Sequence, residues 1–259
     1  MSLIETNWLE KNLDQVKIID CSWHMPQTKR IGFEEYKISH IPKALFFDLD
    51  ENSKKNTDLP HMLVNKSEWE NIISNMGIQK KDKIIIYDNS DVISSCRCWF
   101  NFIYFGHDPN LVHILNGGFK KWIKENRKVS KDLPHYEKSD YQSFEKKDLV
   151  KDKNSIDENI ETQTFKVIDA RSKERFEGKV PEPRKGLRSG KIKNSFCIPF
   201  NYCLNEDRTF KNKEKLKEVF NSCLENINEK NIVFSCGSGV TACVLALAYS
   251  LINDKYQPC

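Results

Sequence analysis

Three segments of this chain occur twice, in the same order. "VKIIDCSW" at residues 16–23 resembles "FKVIDARS" at 165–172, and "SHIPKALFFDLD" at 39–50 resembles "GKIKNSFCIPFN" at 190–201. "DKIIIYDNSDV" at 82–92 resembles "EKNIVFSCGSGV" at 229–240. The offsets, counted from Val16 to Phe165, Ser39 to Gly190 and Ile84 to Ile232, are 149, 151 and 148 residues. Three matches at nearly constant offset imply duplication of one domain.

Each copy alternates short β-rich runs with helical stretches. In the first copy residues 18–19, 44–47, 83–87 and 111–115 read as strands; in the second, 167–168, 196–199 and 231–235 do. Residues 66–76 and 212–223 carry apolar positions three and four apart and read as helices. Such alternation implies an α/β fold: two tandem domains, each a mostly parallel sheet with helices on both faces. The polar stretch at 128–164 reads as linker plus the opening helix of the second copy. It places the boundary near residues 130–140 and the domains at 1–135 and 136–259.

The alignment exposes an asymmetry. Cys236 in the second copy faces Asp88 in the first, whose "DNSDV" loop has two carboxylates and no sulfur. Cys236 lies where an apolar strand hands over through Gly237, Ser238 and Gly239 to an apolar segment beginning at Val240. The glycines allow backbone angles that a Cβ would resist. A helix beginning at Val240 would add partial positive charge at its N-terminus. Inward amides and that charge favour an anion, so a Cys there is a candidate thiolate nucleophile. The alternative is a buried structural Cys at a strand end. The placement favours the nucleophile, because ligands of open α/β sheets bind beyond the carboxyl ends of the strands.

Composition excludes several other classes. With 41 basic and 37 acidic residues the net charge is only +4, and no basic stripe with interleaved aromatics argues for nucleic acid. The first residues lack the pattern of a signal peptide. The longest apolar run, residues 242–252, is shorter than the roughly 20 residues of a membrane span. Nine cysteines, an odd number without CxxC spacing, argue against a disulfide framework and structural zinc. They fit reduced thiols in the cytoplasm.

On "LPHML", "YFGHD" and "LNGGFKKW" in the first copy, and "DARSKERFEGKVPEPRKGLRSG" and "CGSGVTAC" in the second, the chain resembles the two-domain rhodanese-like sulfurtransferases. It is most similar to the 3-mercaptopyruvate type, over essentially its whole length. The resemblance implies that only the C-terminal domain is catalytic. It implies transfer of sulfur from 3-mercaptopyruvate to a thiol or cyanide through a persulfide on Cys236, with pyruvate released and no cofactor or metal. The loop residues Gly237, Ser238, Gly239, Val240 and Thr241 match the mercaptopyruvate signature. Thiosulfate-type relatives tend to carry basic side chains in this loop. The resemblance also implies a carboxylate clamp of Arg175 and Arg184, a Ser238–His61–Asp50 relay, and a thiol acceptor such as a thioredoxin-like protein. Arg97 matches a family position without a role beyond packing or the interface.

Three alternatives stay open: a thiosulfate sulfurtransferase on the same fold, a Cys-dependent phosphatase, and a non-catalytic rhodanese-like binding module. The phosphatase would need an Arg where this chain has Ala242. Two departures from the family pattern stand out. Lys191 occupies a position where the family has His. The second copy stops before a counterpart of "LVHILNGGFKKWIKEN", so its sheet is expected to lack a final strand and helix and to keep an unpaired edge.

Overall fold

The computed structural model describes residues 2–184, 186–227 and 229–259. Lys185 of the "PEPRKG" motif lies outside the described residues. The chain forms two compact units. One comprises Met1–Lys146 with Glu206–Thr209, and the other Lys147–Asn205 with Phe210–Cys259.

The first unit runs β1 (Leu3–Ile4), α1 (Thr6–Lys11), β2 (Lys17–Asp20), α2 (Gly32–Ile38), β3 (Ala44–Phe46), α3 (Lys66–Asn75), β4 (Ile84–Tyr87), α4 (Ser95–Tyr104), β5 (Val112–Leu115) and α5 (Gly118–Lys124). Its five strands pair in parallel in the order β1-β5-β4-β2-β3. All four residues of β4 and of β5 are buried, as expected of parallel strands covered on both faces. Leu9 of α1, Tyr36 of α2, and Phe119 and Trp122 of α5 share one cluster with Ile18, Ile85 and Leu115. Trp69 of α3 stacks on Phe105 at 4.6 Å and meets Phe47 and Phe102. Asn65 caps α3 reciprocally with Glu68.

The division between units falls after Lys146, later than the sequence placed it. The segment that read as linker is laced onto the first unit by backbone hydrogen bonds. Ser139 N donates to Ser74 O, Phe144 N to Phe105 O and Lys146 N to Tyr104 O. Tyr141 is buried and its hydroxyl lies 3.0 Å from His107 Nδ1.

The second unit runs α6 (Lys153–Thr162), β6 (Lys166–Asp169), α7 (Lys173–Phe176), β7 (Phe196–Cys197), α8 (Lys213–Asn221), β8 (Ile232–Ser235) and α9 (Val240–Ser250). Its strands are parallel in the order β7-β6-β8. The registers confirm the duplication: Lys17 pairs with Ile84 in β2–β4, and Lys166 with Ile232 in β6–β8. Tyr87 and Ser235 are therefore equivalent, and Asp88 and Cys236 each follow the last residue of a strand. At the edge of β8, Phe234 N donates to Cys259 O. Helix α9 is buried almost all round, which explains its unbroken apolar sequence. Tyr249 on it packs with Phe220, Phe234 and Tyr256.

Candidate active site

β8 delivers Cys236 to the mouth of a four-residue loop that ends at the N-terminus of α9. Cys236 is partly exposed. Gly239 N donates to Cys236 Sγ at 3.1 Å, so one loop amide points at the sulfur as the loop chemistry requires. Gly239 has φ +76° and occupies the N-cap of α9. Glycine takes that left-handed angle at the least cost, and the angle turns the chain into α9. Gly237 serves a different purpose from the one read in the sequence, because its φ lies outside the left-handed region. A Cβ on it would sit 3.3 Å from Arg175 Nη2, so glycine gives the guanidinium room.

Two expected arginines converge on this loop. Arg184 donates through Nη2 to the Gly237 carbonyl at 2.5 Å. Arg175, on α7, lies against Gly237 and donates through Nη2 to Glu182 at 2.5 Å. The helix that carries it is capped by the Ser172 side chain. Glu182 also accepts from Arg171 Nη1 at 2.7 Å, and Arg171 donates to both oxygens of Asp169. The hydrogen bond from Arg175 holds the Glu182 carboxyl below its ordinary range despite partial burial. Sequence reasoning missed Glu182 and Arg171. The only available signal was an acidic residue between two arginines of the motif. Val240 is buried, whereas Ser238 and Thr241 are partly exposed. The thiol of Cys243 is buried and donates to the Gly239 carbonyl.

In the first unit, His61 Nε2 lies 2.9 Å from Asp50 Oδ1. Asp50 also accepts from Trp23 Nε1 at 2.9 Å, and the His61 ring packs edge-on to Trp23 at 4.7 Å. The hydrogen bond from His61 is the main reason the Asp50 carboxyl lies below its usual range. Arg97 Nη2 donates to the His61 carbonyl at 2.6 Å, giving this buried arginine a structural task at that loop. His61 takes φ +56°, and its Nδ1 is buried with no hydrogen-bond partner among the described residues. An imidazole whose Nε2 proton points at a carboxylate presents Nδ1 as a proton acceptor.

The loop of the first copy is built to do without sulfur. Asp88 Oδ1 accepts from Ser90 N at 2.8 Å and Oδ2 from Ser95 N at 2.9 Å. The carboxylate thus occupies its own amides. This loop is also longer than the alignment implied, running to Ile93, which holds the left-handed angle (φ +51°) just before the N-cap Ser94. The constant offset fails inside the loop. Lys191, where the family pattern has His, places its ammonium 4.9 Å from the Phe176 ring centroid, a packing role.

A tandem pair of parallel α/β units with a cysteine-and-amide loop in one copy defines a class, and the chain belongs to it. The rhodanese-like domain family matches residues 5–125 and 152–256. Among named relatives, the mitochondrial thiosulfate/3-mercaptopyruvate sulfurtransferase 1 of Arabidopsis thaliana is 38% identical over 99% of this chain and 73% of its own length. The mouse 3-mercaptopyruvate sulfurtransferase is 34% identical over 99% of this chain and 88% of its own. The crystal structure of SseA from Escherichia coli, a 3-mercaptopyruvate sulfotransferase, superposes with a TM-score of 0.87 at 27% identity, covering 97% of this chain and 94% of that one.

Proposed function

We propose that this chain is a sulfurtransferase that takes sulfur from 3-mercaptopyruvate through Cys236. The observation that carries the reading is the Cys236 loop itself, with an amide on the sulfur, uncharged loop side chains, and Arg175 and Arg184 against Gly237. Cys236 thiolate attacks the donor's sulfur. The carbon–sulfur bond breaks, its electron pair passes to carbon as the enolate of pyruvate, and a proton completes the product. Cys236 keeps the sulfur as a persulfide. A thiolate acceptor or cyanide then attacks the outer sulfur and restores Cys236, a two-stage cycle. Loop amides stabilise the sulfur anion at both stages. Arg175 and Arg184 would grip the donor's carboxylate and carbonyl, a task for which the planar guanidinium is suited.

The Ser238, His61 and Asp50 relay is part of this proposal. It is supported by the Asp50–His61 hydrogen bond and by the unpartnered Nδ1. A small reduced protein thiol is the natural acceptor. Nine free cysteines suit a reducing compartment such as the cytoplasm, although one relative is mitochondrial. Among the described residues no helix is long and apolar enough to cross a membrane.

The deciding experiment compares pyruvate release from 3-mercaptopyruvate, with a thiol acceptor, against thiocyanate formation from thiosulfate and cyanide. Higher kcat/KM on the first supports the reading. Higher kcat/KM on thiosulfate would make the chain a thiosulfate sulfurtransferase, and no turnover of either would make it a binding module.

A further inference from the structure

The charges behind the loop form a chain of alternating sign. Asp169 pairs with Arg171 at 2.6 Å, Arg171 with Glu182 at 2.7 Å, and Glu182 with Arg175 at 2.5 Å. Arg171 also donates to the Gly190 carbonyl, so it is anchored on two sides. The side chain of Glu182 is only 5% exposed, so these contacts are poorly screened by water. Two carboxylates and two guanidiniums cancel. Arg184, bound to the Gly237 carbonyl, then adds one positive charge beside the loop.

We infer that Glu182 is a specificity-determining residue: it neutralises Arg175 and leaves Arg184, which bonds the Gly237 carbonyl, as the guanidinium at the loop without a carboxylate partner among the described residues. Such a site matches a donor with a single carboxylate and undercompensates a dianion. The inference rests on the proposed sulfurtransferase reading and names the residue that would set its donor class. Arg175 keeps its shape for gripping oxygen atoms, while its surplus charge is spent on Glu182. A direct contact of Glu182 with the donor is not required, so its role is positional and electrostatic.

Glu182→Gln keeps the size and the acceptor oxygen but removes the charge, and Glu182→Asp keeps the charge. The test measures kcat/KM of the full-length protein on 3-mercaptopyruvate and on thiosulfate, with circular dichroism to confirm folding. The expected result is that Glu182→Gln moves the thiosulfate-to-mercaptopyruvate ratio toward thiosulfate by about tenfold or more, while Glu182→Asp stays within about threefold of wild type. The shift should shrink as salt is raised. A second readout needs no turnover: protection of Cys236 from alkylation by pyruvate and by sulfate. Here Glu182→Gln should strengthen protection by sulfate relative to pyruvate. An unchanged ratio in folded Glu182→Gln, or an equal loss on both donors, overturns the inference. A wild-type preference for thiosulfate would instead refute the proposed donor, while the change between wild type and variant still reports on Glu182.

Discussion

Cys236 is set apart from other cysteines of the chain by what points at it. Burial pushes the thiols of Cys197 and Cys259 up to about 11 and that of Cys203 to about 12, which keeps them protonated. Cys236 is partly exposed and accepts the Gly239 amide. Cys236→Ser should therefore abolish turnover, and Cys243→Ser should keep most of it. Mass spectrometry after donor without acceptor should find one added sulfur, on Cys236. Sulfur on any other cysteine would refute the assignment. Arg175→Ala and Arg184→Ala should each weaken use of 3-mercaptopyruvate by about 1.5–3 kcal/mol in kcat/KM, the range for a charge-assisted hydrogen bond. Wild-type kcat/KM in both variants would remove the carboxylate clamp. That Cys236 and the two arginines come together followed from local motif. Glu182 was not legible, because its partners lie seven and eleven residues away across an irregular stretch that has no periodicity to read.

Among the elements, strands with strong apolar runs were readable and their counterparts held register. Helix α4 is buried at every residue, and its polar positions Arg97 and Asn101 are buried with the rest. β1 is only two residues long, too short to show alternation. The end of β2 carries a consequence of duplication that sequence alone did not give. Asp169 on β6 is paired with Arg171, but its counterpart Asp20 has Ser22 in the place of that arginine. Buried without a cation in its hydrogen-bond set, Asp20 has its carboxyl pushed up from 3.8 to about 7, chiefly by desolvation. A carboxyl raised in the folded state binds its proton more tightly there than in the unfolded chain. Its contribution is fully present below about pH 4 and is lost as pH rises toward about 7, at no more than about 1.4 kcal/mol per pH unit. Asp20→Asn should remove that slope and leave the protein more stable above pH 7, since the amide can still accept from Ser22. Urea unfolding of both proteins from pH 4 to 8 checks this. Parallel stability curves would show that Asp20 ionises normally in the folded state.

Over the whole molecule, the two copies differ most at the loop that follows the equivalent strands β4 and β8. One copy keeps the sulfur, and the other fills its loop with Asp88 yet holds His61 and Asp50 in a bonded pair. The fold of both copies was legible because repeated patterns reinforce one another. The role proposed for the first copy rests on resemblance, since a histidine in a loop carries no periodic signal. His61 is tied at both ends, with its ring on Asp50 and its carbonyl on the buried Arg97. His61 holds a left-handed angle of φ +56°, which histidine adopts more readily than most non-glycine residues. If His61 handles a proton during pyruvate formation, its loss should lower kcat by roughly 10²–10⁴, the range for a general acid–base. His61→Asn is the sharper probe, because Asn tolerates the left-handed angle and a folding defect is then less of a confounder. Asp50→Asn should lower kcat less, because the imidazole remains while its orientation and basicity suffer. The measurement is kcat of the full-length variants, with circular dichroism and the pH dependence of kcat. A proton-accepting His61 predicts that the acidic limb of the profile changes in His61→Asn. Wild-type kcat and an unaltered profile in a folded His61→Asn protein would reduce the first copy to a scaffold and leave the Cys236 assignment intact.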